Sequence, residues 1–162
     1  ADRIAIAGDS AGGHLTFMVT MALREAGLPL PAAMVMMSPA FSLDPLPHTT
    51  AYEREPRDPL IRLAWANDVK GALRVPHDHT LANPMQQDMR GLPPALLQVG
   101  DDEVLFDNAT WYNDAATRAG SRSELEIYQK RWHVFQAHAG LLRSADQALA
   151  RQAEFLKQCW GQ

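Results

Sequence analysis

The sequence predicts an α/β fold, a mostly parallel sheet with helices on both faces. Three observations predict it. Short apolar runs of strand length alternate with longer stretches of helical period along the 162 residues. The first apolar run passes straight into a helix through the glycine-rich turn Gly8 to Gly13. No internal repeat, low-complexity tract or second compositional block interrupts the series, so a single domain over 1–162 is expected.

The elements follow in order. Ile4 to Ala7 is a short apolar run ending at Gly8 and reads as a buried parallel strand. Ala11 to Ala26 reads as a helix, with Leu15, Met18, Val19, Ala22, Leu23 and Ala26 at helical spacing and Gly27 as its stop. Ala33 to Met37 is a second strand, closed by Ser38-Pro39. Prolines at 45, 47, 56, 59, 76 and 84 break the next stretch. Within it Leu60 to Leu73 reads as helical, with Ile61, Ala64, Trp65 and Val69 on one face. Pro93-Pro94 introduces the third strand, Ala95 to Val99. A helix from Asp107 to Ala119 stops at Gly120. Leu125 to Tyr128 is a fourth strand at a sheet edge, and Leu141 to Trp160 a final amphipathic helix.

Composition narrows the function. Nineteen acidic against fifteen basic side chains give a net charge of −4, with no basic run. That argues against a nucleic-acid partner, which needs a clustered basic face. No apolar stretch reaches the roughly 20 residues of a membrane helix, so no membrane span is expected. The single cysteine, Cys159, cannot form an internal disulfide and reads as a packing residue. With no signal peptide visible before the first strand, a cytoplasmic location is expected.

The motif that carries chemistry is Gly8-Asp9-Ser10-Ala11-Gly12-Gly13, a G-x-S-x-G between a strand and a helix. A nucleophilic serine must stand above the sheet on a sharp turn, and Gly8 and Gly12 are expected to leave room for it. The helix beginning at Ala11 aims its free N–H groups where negative charge would develop, so Ala11 N–H is the expected oxyanion donor. The alternative, a glycine turn for packing or phosphate, lacks the lysine and spacing of a P-loop. Asp9 is expected to fix the elbow by hydrogen bonds.

A serine hydroxyl needs a base, and the base needs a carboxylate to orient it. Six histidines compete. His133 stands between the last strand and the last helix, on the same sheet edge as Ser10, and is the expected base. His14 points along its helix and reads as structural or pocket-lining. His48 lies in the proline-rich loop. His77 and His79 flank Asp78 without a third ligand nearby, so no metal is expected. His138 reads as packing against the last helix. Asp101, Asp102, Glu103 and Asp107 crowd the end of the third strand as candidate acids. Asp107 suits a helix N-cap.

Three segments together resemble the bacterial hormone-sensitive-lipase-like esterases of the α/β-hydrolase fold. They are Gly8 to His14, Leu92 to Asp107, and Trp132 to Gln136, in that family's order of serine, acid and histidine. The family pattern of the acid loop, aligned on Gly100, Leu105 and Asp107, implies Glu103 as the acid, with Asp102 as the fallback. The resemblance implies hydrolysis of small-molecule, short-chain carboxylic esters through an acyl-enzyme, with no cofactor. A serine peptidase of the same fold is a less favoured alternative.

The family's HGGG-type oxyanion loop has no counterpart in these residues. The chain is therefore expected to be the C-terminal part of an α/β-hydrolase, without the N-terminal strands, cap and HGGG loop. Loss of one oxyanion donor typically costs about 100- to 1000-fold in turnover. An alternative follows: an inactive or association-prone fragment. Ile4 to Ala7 would then be an exposed strand edge open to pairing with another chain or a second copy.

Overall fold

The computed structural model describes residues 2–42, 49–65, 69 and 84–161. Four parallel strands form one sheet in the order β1 (Ala5–Asp9), β2 (Ala33–Met37), β3 (Ala95–Gly100), β4 (Ser123–Tyr128). The register pairs Ala5 with Ala33, Met34 with Ala95, and Ala95 with Ser123. All strand C-termini therefore lie along one edge, where crossover folds of this kind place their ligands.

The inner strands β2 and β3 are almost wholly buried, as expected of apolar runs covered on both faces. Helices α1 (Ala11–Glu25) and α3 (Phe106–Arg118) cover one face. There Phe17, Met18 and Met21 meet Met34, Met36, Leu97 and Val99, and Ala109, Tyr112 and Ala116 close the layer. Phe17, Phe41 and Tyr112 pack their rings 5.3–5.8 Å apart, within the favoured range for aromatic pairs. Helix α4 (Arg143–Cys159) covers the other face, with Phe155 against Ala33, Val35 and Leu96. Cys159 packs at the margin of this cluster. A short helix α2 (Ala51–Arg54) precedes the acid loop, and a 3-10 turn spans Phe135–His138.

The helix and strand types agree with expectation; several faces do not. Leu15 is 61% exposed and Val19 45%, whereas Thr16, Phe17, Thr20 and Met21 are buried. Two apolar stripes compete on α1. The sheet takes the one bearing the phenylalanine, and the threonines turn their hydroxyls back onto the Gly12 and Thr16 carbonyls. β1 is an edge strand with Ala7 exposed, not a buried one. Ala64 and Trp65 are both exposed. Residues 63–65 are helical, while 66–68 and 70–73 of the expected helix lie outside the described residues. α4 begins at Arg143, because Gly140 and the extended Leu142 break the helix there.

Candidate active site

The site assembles on the C-terminal edge of the sheet. β1 runs into α1 through Ser10, whose φ of 52° and ψ of −119° lie outside the ordinary regions for a side-chain-bearing residue. Such a conformation costs of order 1–3 kcal/mol and must be held by its surroundings. Two backbone hydrogen bonds from outside α1 hold it. Ser10 N–H donates to the Met37 carbonyl at 2.9 Å, and the Ser10 carbonyl accepts Ala40 N–H at 3.0 Å. Gly8 is sterically required, since a Cβ there would lie 2.2 Å from the Gly12 carbonyl oxygen. Gly13 is required too, because its Cβ would lie 2.8 Å from Pro39 Cβ. At Gly12 a Cβ would meet nothing within 4 Å. The room the turn needs is thus supplied by Gly8 and Gly13, not by Gly12.

Ser10 Oγ lies 2.9 Å from His133 Nε2. On the far side of the ring, His133 Nδ1 lies 3.4 Å from Glu103 Oε2. The first distance is an ordinary hydrogen bond. The second is longer than the 2.7–2.9 Å of a charge-assisted bond and lacks its alignment; such contacts commonly tighten when substrate binds. Glu103 is fully buried and His133 nearly so. Burial pushes the Glu103 carboxyl above its ordinary range, while His133, the Gly100 N–H and the Ser38 hydroxyl pull it back.

The other acidic candidates are engaged elsewhere. Asp101 accepts the Lys130 N–H at 2.6 Å, and Asp102 pairs with Arg57 at 3.2 Å on the surface. Asp107 is not an N-cap. The cap position is Leu105, and Asp107 sits in the first turn of α3, where its carboxylate holds the Thr49 and Thr50 hydroxyls. Asp9 is exposed and, among the described residues, its carboxylate makes no hydrogen bond to the elbow. His138 sets its ring against Trp132, 5.4 Å away. His14 is half-buried one turn into α1. His48, His77, Asp78 and His79 lie outside the described residues. Ala11 opens α1, so its N–H has no acceptor within the helix. Among the described residues no group of three or more metal-ligating side chains is gathered. No helix there is long and apolar enough to cross a membrane.

Gly100, an anchor of the acid-loop pattern, and two residues that motif reading passed over, Asp58 and Ser38, shape the site. A Cβ at Gly100 would lie 2.1 Å from the Arg131 carbonyl oxygen, so only glycine lets the acid and histidine loops approach. The same carbonyl accepts Asp102 N–H at 3.2 Å. Asp58, buried to 1%, accepts Val104 N–H at 3.0 Å and so holds the residue after Glu103. Ser38, wholly buried, donates to Glu103 Oε1 at 2.8 Å. No motif marks Ser38; the parallel register, with Asp9 paired to Met37, is what sets it directly beside Ser10 at the strand ends.

This arrangement has relatives. The family model described as alpha/beta hydrolase fold matches residues 1–137. The chain belongs to that family. It is similar to an acetyl-hydrolase of Streptomyces hygroscopicus, 37% identical over 164 residues that cover 99% of this chain and 54% of that protein. An esterase of Acinetobacter venetianus is 29% identical, over 94% of this chain and 51% of its own length. Among solved structures, an esterase from the bacterial hormone-sensitive lipase family superposes with a TM-score of 0.92 at 35% identity. That match covers 98% of this chain and 54% of the solved one. The chain thus spans about half the length of the curated relatives it matches.

Proposed function

We propose that this chain carries the catalytic centre of a serine carboxylesterase that hydrolyses small, short-chain acyl esters. The observation that carries the proposal is the line from Ser10 Oγ through the His133 ring to a buried carboxylate at Glu103. Ser10 attacks the ester carbonyl carbon as His133 Nε2 takes its proton. Glu103, ionised, holds the ring and stabilises the imidazolium. The oxyanion receives the Ala11 N–H at the start of α1. His133 then returns the proton to the leaving alcohol, and water activated by His133 releases the acid. No metal or cofactor takes part in this scheme. The relative called an acetyl-hydrolase supports a short acyl group.

The described half of the fold is read as a single partial catalytic domain, 1–162. A single cysteine, without a disulfide partner among these residues, is consistent with a cytoplasmic setting. The test is turnover of a p-nitrophenyl ester series, from acetate upward, by this chain beside a relative of full length. Activity that falls with acyl length supports the proposal. Preference for long chains, or for amides, would overturn the substrate class.

A second reading has its own observation. Among the described residues β1 is an open edge of the sheet; Ile4, just before it, is 60% exposed, and Leu15, Val19 and Leu28 are exposed as well. Exposed edges and apolar faces associate. On this reading the isolated chain is an association-prone module that pairs through β1 with another chain or a second copy, and is inactive alone.

A further inference from the structure

The last residue of β2 and the three that follow it, Met37 to Ala40, touch all three loops of the candidate triad. Met37 and Ala40 bracket Ser10 through its backbone, and Pro39 fills the space beside Gly13. Ser38 reaches the other two loops with one hydroxyl. Its Oγ donates to Glu103 Oε1 at 2.8 Å and accepts the N–H of Val134, the residue after His133, at 3.0 Å. Both Ser38, at φ 47°, and Val134, at φ 52°, sit in the left-handed region. For a β-branched valine that is a strained conformation, which needs an anchor.

We propose that Ser38 is a positioning residue, whose hydroxyl selects the carboxylate oxygen that Glu103 turns toward His133 and ties that choice to the histidine loop. The inference rests on the triad reading of Ser10, His133 and Glu103. A hydroxyl has one proton and two lone pairs. An ionised carboxylate only accepts, so the proton goes to Glu103 and a lone pair is left for Val134. Gly100 N–H also donates to Oε1, at 2.6 Å. Oε1 is therefore occupied twice, and Oε2 is the oxygen left to face Nδ1. Glutamate has one more rotatable bond than aspartate, so its carboxylate needs such a restraint to hold one orientation. The titratable and charged groups around this carboxylate are His133 opposite it, Asp58 beneath Val104, and the half-buried Asp102 with its exposed partner Arg57. None of them is altered in the test.

The discriminating variant is Ser38→Gly, measured beside Ser38→Cys and Glu103→Gln. Glycine accepts φ 47° without strain but has no hydroxyl, so a merely structural role for Ser38 predicts a stable, fully active protein. Positioning predicts a kcat for p-nitrophenyl acetate lower by about 10- to 100-fold, the range typical when a group supporting an active-site side chain is lost. KM should hardly change. The acid limb of the kcat/KM profile should move to higher pH, because ionised Glu103 loses a donor. Ser38→Cys, a weaker donor of similar size, should fall between. The rate of Ser10 phosphonylation by a p-nitrophenyl phosphonate should show the same order without requiring turnover. Unchanged kcat and an unmoved limb in a Ser38→Gly protein that melts like the parent would overturn the proposal, and the same result in Ser38→Cys would do so if the glycine variant fails to fold. If Glu103→Gln alone keeps full activity, it is the triad reading that fails.

Discussion

The two ends of the sheet edge differ in how they are held. Around Glu103 and His133 every loop is locked to another: Gly100 against Arg131, Asp101 to Lys130, Asp58 to Val104, Ser38 to both acid and histidine loops. Around Ser10 the packing is one-sided. β2 holds the elbow from within, but among the described residues β1 has no outer strand, and Leu15 and Val19 stand exposed on α1. Among the described residues, Glu103 and His133 are thus held by contacts from several loops, while β1, which leads into Ser10, pairs on one side only.

The comparison can be broken most sharply at Ser10. Ser10→Ala should lower ester hydrolysis by about 10^6-fold, the scale seen when a triad nucleophile is removed, and should abolish labelling by an organophosphonate. Stoichiometric labelling of the alanine protein would remove Ser10 from the mechanism.

Glu103→Gln tests the locked end. It keeps the shape and the acceptor for Ser38 and Gly100 but presents an amide to Nδ1. A kcat loss of about 10^4-fold is expected, the magnitude known when a triad acid becomes its amide. Stability should move the other way. Burial raises the Glu103 pKa, so the folded state binds its proton more tightly than the unfolded chain does. That contribution is present at low pH and is lost as pH rises from the ordinary carboxylate range through the raised value. At neutral pH the ionised group therefore weighs against folding, and Glu103→Gln should melt higher than the parent there. Equal melting temperatures at pH 7 would show that the hydrogen bonds to the carboxylate offset its burial in full.

Smaller effects separate the glycines. Gly100→Ala drives a Cβ into backbone and should destabilise by about 3 kcal/mol, the upper range for overpacking. Gly12→Ala meets open space in a helix and should stabilise this chain by about 0.5–1 kcal/mol. A Gly12→Ala penalty in the chain alone would mean that the elbow's outer flank is already packed. Urea titration measures both.

The smallest expected effect lies on the bare flank. Leu15→Gln with Val19→Thr should alter the stability of the monomer by no more than about 0.5 kcal/mol, as for exposed positions. Light scattering over a range of concentrations should show less self-association in the variant than in the parent. A parent chain that runs as a monomer at all concentrations, with a cooperative melt, would mean that β1 and α1 need no cover.

Much of this was legible in the residues. Strand and helix order follow from local periodicity, and parallel pairing follows from their alternation. The elbow was readable because a sharp strand-to-helix turn restricts which residues fit. Glu103 could be chosen over Asp102 only through the spacing of a family pattern, since four acids lie within seven residues. Their separate fates, with Arg57, Lys130, Thr49 or His133, depend on chain segments far away in sequence.

What the sequence alone determined is therefore the kind and order of the elements, and a serine, an acid group and a histidine at strand ends. Tertiary structure decided the rest. It chose which stripe of α1 is buried, because two apolar faces were available and only the sheet could select between them. It made Gly8 and Gly13, rather than Gly12, the required glycines, because close approach is a property of two backbones at once. It drew Ser38 into the site, because parallel register sets strand ends side by side while leaving them dozens of residues apart along the chain.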